Sequence, residues 1–215
     1  MNNEDFKILL KDALAKLNAI YDKRESTSIL KWLLFDKYGI DIDTNESVDL
    51  DKDSFSKDLS ELQLGRPLQH ITGFMEFMNL RIGVNENALI PRPETEELCN
   101  LAINENKNND QLKILDIGTG SGCIALALKK YLPNSSVTAL DISKKALELA
   151  SENAKRNELD IRFLNLDILN TELGLPQEFD IIISNPPYIP ISEKEVIHIN
   201  VKDFEPSNAL FVKDE

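Results

Sequence analysis

Along residues 1–70 the apolar positions recur at the spacing of one helix face. Ile8, Leu9, Ala13, Leu17 and Ile20 make one stripe, and Ile29, Leu30, Leu33 and Leu34 a second. Ser54 is placed to cap a further helix carrying Leu59 and Leu62. No proline precedes Pro67, and before Gly65 the only glycine is Gly39, so little interrupts these helices. The pattern predicts a small helical bundle, with Trp32, Phe35 and Tyr38 in its core. From Gly65 to Arg92 the texture changes to short apolar pieces, Phe74–Phe77, Leu80–Val84 and Ala88–Ile90. They predict a β-hairpin linker turning near Gly83 or Asn85. A helix is predicted after Pro93, with Glu94, Glu96 and Glu97 where carboxylates meet the positive end of its dipole.

Past residue 110 strand-like and helix-like runs alternate. Lys113–Ile117, Val137–Leu140, Ile161–Leu166 and Phe179–Ser184 read as strands, Ile124–Tyr131 and Lys144–Asn157 as helices. A short hairpin is predicted at Ala209–Val212. Such alternation predicts an α/β fold: a doubly wound, mostly parallel, Rossmann-like sheet, preceded by the helical bundle and the hairpin. The expected division is 1–72 for the helical domain, 73–92 for the hairpin linker and 93–215 for the α/β domain.

In sheets of this kind ligands bind outside the carboxyl ends of the strands. The first strand runs into Gly118-Thr119-Gly120-Ser121-Gly122, where three of the chain's eight glycines fall within five residues. Glycines there let a ligand approach backbone N–H groups at a helix start. A dinucleotide fingerprint would need its third glycine at the position held by Cys123, so a nucleoside cradle fits better. The second strand ends at Asp141, whose carboxylate suits a ribose diol; capping the next helix is the other reading, although Ser143 is better placed for that. The third ends at Asp167, which either accepts from an adenine amino group, with Ile168 against the ring, or sits in a solvated turn.

The fourth strand ends in Asn185-Pro186-Pro187-Tyr188, the sharpest signal in the chain. Two consecutive prolines fix φ and remove two backbone donors. Asn185 adds a side-chain carbonyl and Tyr188 an aromatic wall. The result is rich in acceptors and poor in donors, matched to an NH2 group on a planar carrier. Amide and nucleobase carriers both satisfy it.

Charge narrows the choice. With 37 acidic against 24 basic residues the formal net charge is -13, which disfavours a polyanionic substrate, because nucleic-acid affinity rests on Lys and Arg neutralising phosphates. Cys99 and Cys123 are expected as buried reduced thiols, and the two histidines, His70 and His198, as structural groups. Scattered Cys and His predict no metal. Neither a signal peptide nor a membrane span is expected, so the cytoplasm is the expected location. Arg92, between two prolines, suits either a ligand carboxylate or a structural ion pair.

Taken together, Asp116–Gly122, Asp141 and Asn185–Tyr188 resemble the class I methyltransferase core with an asparagine-proline-proline-tyrosine signature. Arg66–Gly73, Ile90–Glu96 and Phe204–Pro206 running to Ala209-Leu210 narrow the resemblance to the HemK-type peptide chain release factor glutamine methyltransferases. The resemblance implies methyl transfer from S-adenosyl-L-methionine to the side-chain amide nitrogen (N5) of the glutamine in a Gly-Gly-Gln loop of release factors. It implies that Gly118, Thr119, Gly120, Ser121, Gly122, Asp141, Asp167, Ile168 and Asn185 hold the cofactor. Asn185, Pro186, Pro187 and Tyr188 would hold the glutamine, with Asn185, Pro186 and Tyr188 as the catalytic set. In this scheme Asn185 Oδ1 and the Pro186 carbonyl accept the two amide N–H bonds, and the helical domain docks the protein substrate.

Members of that family continue past the Glu205-Pro206 motif, so this chain resembles a form shortened at the C-terminus. The Phe179–Ser184 strand is then expected to keep one open side. A monomer is expected, with that edge as a route to dimers. Two other functions stay open at this level: an adenine-N6 nucleic-acid methyltransferase, which shares the Asn185 motif, and a cofactor-binding but inactive module.

Overall fold

The computed structural model describes residues 1–44, 46–170, 175, 178–194 and 203–214. The chain divides into two compact units, one carrying Met1–Thr72 and the other beginning at Gly73. In the first, α1 (Asn3–Leu17), α2 (Lys23–Tyr38), α3 (Lys52–Gln63) and α4 (Leu68–Thr72) follow one another. Their start signals are short polar side chains that accept otherwise unpaired N–H groups: Asn2 for α1, Asp22 for α2 and Asp51 for α3. Asp51, not Ser54, is therefore the cap of α3; the Ser54 hydroxyl itself donates to Asp51 at 2.7 Å. Helix α2 stops where Gly39 turns left-handed at φ 66°.

Phe6, Leu17, Leu30, Leu33, Leu34 and Leu62 fill the core of this unit. The expected core role of two aromatic residues is corrected: Trp32 is 53% and Phe35 59% exposed. The buried stripe of α2 runs through Ser26, Leu30, Leu33 and Leu34, and positions 32 and 35 lie off it. Ile8 is exposed for the same reason, while Phe6 takes the buried place in α1; Ile20, also exposed, lies in the turn after α1. Tyr38 does reach inward, its ring edge-on to Phe55 and its hydroxyl donating to Asp58 at 2.6 Å.

The second unit starts with a hairpin of β1 (Phe74–Phe77) and β2 (Leu80–Gly83). Its turn is Met78-Asn79, not Gly83 or Asn85. Both turn residues have positive φ, 48° and 57°, a costly conformation for Met. Tertiary bonds hold it: Met78 N–H donates to Glu96, Tyr131 Oη donates to the Met78 carbonyl, and Lys130 Nζ to the Asn79 carbonyl. Helix α5 (Pro93–Asn106) then leads to β3 (Lys113–Ile117), α6 (Cys123–Tyr131), β4 (Ser136–Asp141), α7 (Lys144–Arg156), β5 (Arg162–Asn165) and β6 (Ile181–Ser184).

These four strands form one parallel sheet in the order β5-β4-β3-β6. The chain winds outward from β3 through β4 to β5, then returns to the opposite side of β3 for β6. That reversal makes the sheet doubly wound and opens a crevice at the carboxyl ends. Strand β6 is an edge among the described residues. The core unites Phe77, Ile82, Ile114, Leu126, Leu128 and Ala139. Farther on, β7 (Ile189–Pro190) pairs in parallel with β8 (Phe211–Val212). The hairpin expected at Ala209–Val212 is instead the short helix α8 (Ser207–Leu210) leading into β8, because Pro206 and Ser207 start a helical turn. Among the described residues no helix is long and apolar enough to cross a membrane.

Candidate functional site

Register aligns the strand ends. Ile117 of β3 is level with Leu140 of β4 on one side and Ser184 of β6 on the other. Gly118, Asp141 and Asn185 are the next residue of each strand and so share one rim. The glycine loop is pinned to that rim: the Gly118 and Thr119 N–H groups both donate to the Leu140 carbonyl, at 2.9 and 3.0 Å. Gly118 has φ 70°, and a Cβ added there would meet nothing within 4 Å, so this side of the loop is open. Gly122 is glycine for a different reason. With φ 83° it starts α6, and a Cβ would lie 2.8 Å from Leu126 Cδ1 and 3.0 Å from Ala150 Cβ.

Asp141 closes the loop from the side. Its Oδ2 accepts from Gly120 N–H and its Oδ1 from Ser143 N–H, each at 2.9 Å. Ser143 caps α7 by accepting from Ala146 N–H, so Asp141 is not the helix cap. Each carboxylate oxygen keeps a lone pair for a further donor. Beneath the loop, Asp116 is fully buried; its Oδ2 accepts from Thr119 Oγ1 at 2.6 Å, and its Oδ1 has no hydrogen-bond partner among the described residues. Burial pushes the Asp116 carboxyl up to about 7, against the Thr119 hydrogen bond, which pulls it down.

Asp167 lies two residues beyond Asn165, the partner of Asp141 in the sheet, and folds into a turn in which its Oδ1 accepts from Leu169 N–H at 3.0 Å. Ile168 is 36% exposed. On the other flank Ser184 Oγ donates to the Ile117 carbonyl at 2.8 Å, and Asn185 Nδ2 donates to Thr95 Oγ1 at 3.3 Å. That bond directs the donor end of the Asn185 amide onto α5 and leaves Oδ1, the acceptor end, without a partner among the described residues. Pro186 and Pro187 continue outward to Tyr188, which is 72% exposed and walls nothing off among the described residues.

The structure therefore joins the glycine loop, Asp141 and Asn185 on one rim, sets Asp167 next along it, and leaves Tyr188 outside. His70 lies in α4 of the first unit, and His198 falls outside the described residues. Cys99 and Cys123 are buried and free; desolvation raises both thiols, Cys123 to about 12. Arg92 is the structural partner of Glu205: its guanidinium pairs with that 1%-exposed carboxylate, which also accepts from Ile90 N–H at 3.1 Å. Sequence reasoning passed over Thr95 and Asn153. The signal for Asn153 was available, a lone amide on the apolar stripe of Ala146, Ala150 and Ala154.

The groups present fit S-adenosylmethionine. The open face at Gly118, the spare lone pairs of Asp141, and the buried Asp116 oxygen without a partner together suit a ligand bearing hydroxyl, amino and cationic groups.

A parallel doubly wound sheet with this rim defines the class, and residues 98–203 match a family model described as "Methyltransferase small domain". The chain is 56% identical over 159 residues to a release factor glutamine methyltransferase from Flavobacterium psychrophilum, covering 73% of this chain and 55% of that one. It is 47% identical over 154 residues to the protein of the same description from Lactococcus lactis, covering 72% and 56%. Among solved structures it is similar to a methyltransferase from Pyrococcus furiosus, with 28% identity, coverage of 51% and 53%, and a TM-score of 0.42. The chain is similar to release factor glutamine methyltransferases, and it spans about half the length of the curated relatives it matches.

Proposed function

We propose that this chain transfers a methyl group from S-adenosyl-L-methionine to the side-chain amide nitrogen of a glutamine in a peptide chain release factor. The observation that carries the reading is the Asn185 amide, anchored through its donor end on Thr95 at the strand end next to the glycine loop. It is supported by the 56% identity to a relative described by that activity.

In this reading Gly118–Gly122, Asp141, Asp167 and Ile168 hold the cofactor, which supplies an electrophilic methyl group on a sulfonium. The acceptor is the harder half, since an amide lone pair is delocalised into its carbonyl. Asn185 Oδ1 and the Pro186 carbonyl accept the two N–H bonds of the glutamine amide, holding the nitrogen in place and favouring the positive charge that develops on it, and the nitrogen then releases one of these protons to solvent. Their rigidity comes from the prolines and from Thr95. Pro187 and Tyr188 flank the glutamine chain; Tyr188, exposed here, would close on the substrate rather than wall an empty site. We assign residues 1–72 to docking of the protein substrate, 73–92 to a connecting hairpin and 93–215 to catalysis. A release-factor substrate fits a cytoplasmic location, and a monomer is expected, with the open edge of β6 as a route to dimers.

Incubation with labelled S-adenosylmethionine and a release factor containing a Gly-Gly-Gln loop, followed by mass mapping, tests this reading. Label on that glutamine is expected; label on DNA or RNA adenine, or none on any acceptor, refutes it.

A further inference from the structure

We infer that Asn153 is a positioning residue that sets the shape of the glycine loop and through it the affinity for the cofactor; this rests on the methyltransferase reading. Asn153 sits in α7 at 0% exposure. It faces Gly83 of the hairpin as another strand would: Gly83 N–H donates to Asn153 Oδ1 at 2.7 Å, and Asn153 Nδ2 donates to the Gly83 carbonyl at 2.9 Å. The second hydrogen of Nδ2 goes to the Ser121 carbonyl at 2.9 Å, and Arg156 Nη1 donates to Oδ1 at 3.1 Å. This pattern fixes the amide orientation. Exchanging its nitrogen and oxygen would set N–H against N–H at Gly83 and oxygen against oxygen at both carbonyls.

Ser121 is 2% exposed, so its carbonyl has little access to water and depends on this donor. Asn153 is thus the link by which α7 and β2 hold the loop from behind, while Leu140 and Asp141 hold it from the sheet. The link also accounts for Gly83: a Cβ there would stand 2.8 Å from Asn153 Oδ1 and 2.5 Å from Arg156 Nη1. Gly83 and Asn153, 70 residues apart, work as a pair.

Asn153→Asp keeps the acceptor for Gly83 N–H and turns the donor into an oxygen facing two carbonyls. Two readouts are compared with the wild-type chain: hydrogen exchange of the peptide carrying Gly118–Gly122, and calorimetric binding of S-adenosylmethionine. Exchange in that peptide is expected to rise about tenfold with β4 unchanged, and Kd to rise at least about tenfold, a loss on the scale of one buried hydrogen bond. KM for the cofactor follows Kd, and kcat stays within about threefold. Gly83→Ala reaches the same bonds from the other side and should give the same two changes, which keeps the test open if Asn153→Asp does not fold. Arg156→Ala, which spares the bonds to Gly83 and Ser121, should leave both near wild type. A folded Asn153→Asp or Gly83→Ala chain with unchanged loop exchange, or with faster exchange but unchanged Kd, overturns the inference. If the wild-type chain binds no S-adenosylmethionine, the functional reading falls, and loop exchange alone decides whether Asn153 shapes the loop.

Discussion

Asp141 and Gly120 are joined by a 2.9 Å hydrogen bond between the carboxylate at the end of β4 and a backbone N–H at the centre of the glycine loop. The carboxylate therefore braces the loop as well as offering its remaining lone pairs outward. Asp141→Ala removes both functions. S-adenosylmethionine affinity should fall by about tenfold or more, since a hydrogen bond to a charged group contributes roughly 1.5–3 kcal/mol. Calorimetric titration reads this directly, and unchanged affinity would remove Asp141 from the cofactor site.

Thr95 and Asn185 should separate orientation from binding. Asn185→Ala is expected to reduce turnover by about three orders of magnitude with cofactor Kd nearly unchanged, a loss of the size seen when a preorganised polar group at a reaction centre is removed. Thr95→Val leaves the Asn185 amide free to rotate and should lower kcat by about tenfold; Thr95→Ser keeps the hydroxyl and should restore it. Steady-state kinetics with both substrates varied provides the check. Equal loss in the Val and Ser variants would contradict the orienting role.

The buried Asp116 makes stability depend on pH. Its folded-state value, about 7, lies above the ordinary 3.8, so the folded chain holds this proton more tightly than the unfolded one. Its favourable contribution is complete below about 4 and is lost as pH rises through about 7. Asp116→Asn removes the titration and keeps an acceptor for Thr119. In thermal unfolding between about pH 6 and 8, on the order of one unit either side of that value, the Tm of the wild-type chain should decline more steeply than that of the variant. Parallel curves would rule out Asp116 as the source.

Gly122→Ala places a methyl group 2.8 Å from Leu126 Cδ1 on a backbone with φ 83°. Overpacking and left-handed strain add, for a cost of about 2–4 kcal/mol. Urea unfolding should show a lower midpoint at an unchanged slope.

Arg92→Met leaves the carboxylate of Glu205 buried without its cation, while Ile90 N–H still donates to it. Arg92 is itself one-third exposed, so the loss belongs at the lower end for a broken buried pair, about 2–3 kcal/mol. The double variant Arg92→Met with Glu205→Gln should recover part of that loss, measured as a double-mutant cycle.

The sheet and its rim were legible in the sequence because period and punctuation coincide there. Each run of β-rich residues from Lys113 to Ser184 ends at a polar residue or a glycine, and one register aligns those ends. Less legible were positions whose identity depends on a distant partner. Met78 and Asn79 carry no turn signature that outweighs Gly83, yet they form the turn because Glu96, Lys130 and Tyr131 bond their backbone. Trp32 and Phe35 are aromatic, but helix phase puts them off the buried stripe of α2.

What the sequence alone determined is the local chemistry: the glycine loop, the acids at the strand ends and the rigid Asn185-Pro186-Pro187-Tyr188 segment. What only the tertiary structure decided is which polar groups face ligand and which face protein. Asn153, Thr95 and Glu205 each satisfy a backbone or side-chain group more than fifty residues away, at separations of 70, 90 and 113. A buried polar group must find a partner wherever the fold brings one, and such pairings have no periodicity along the chain.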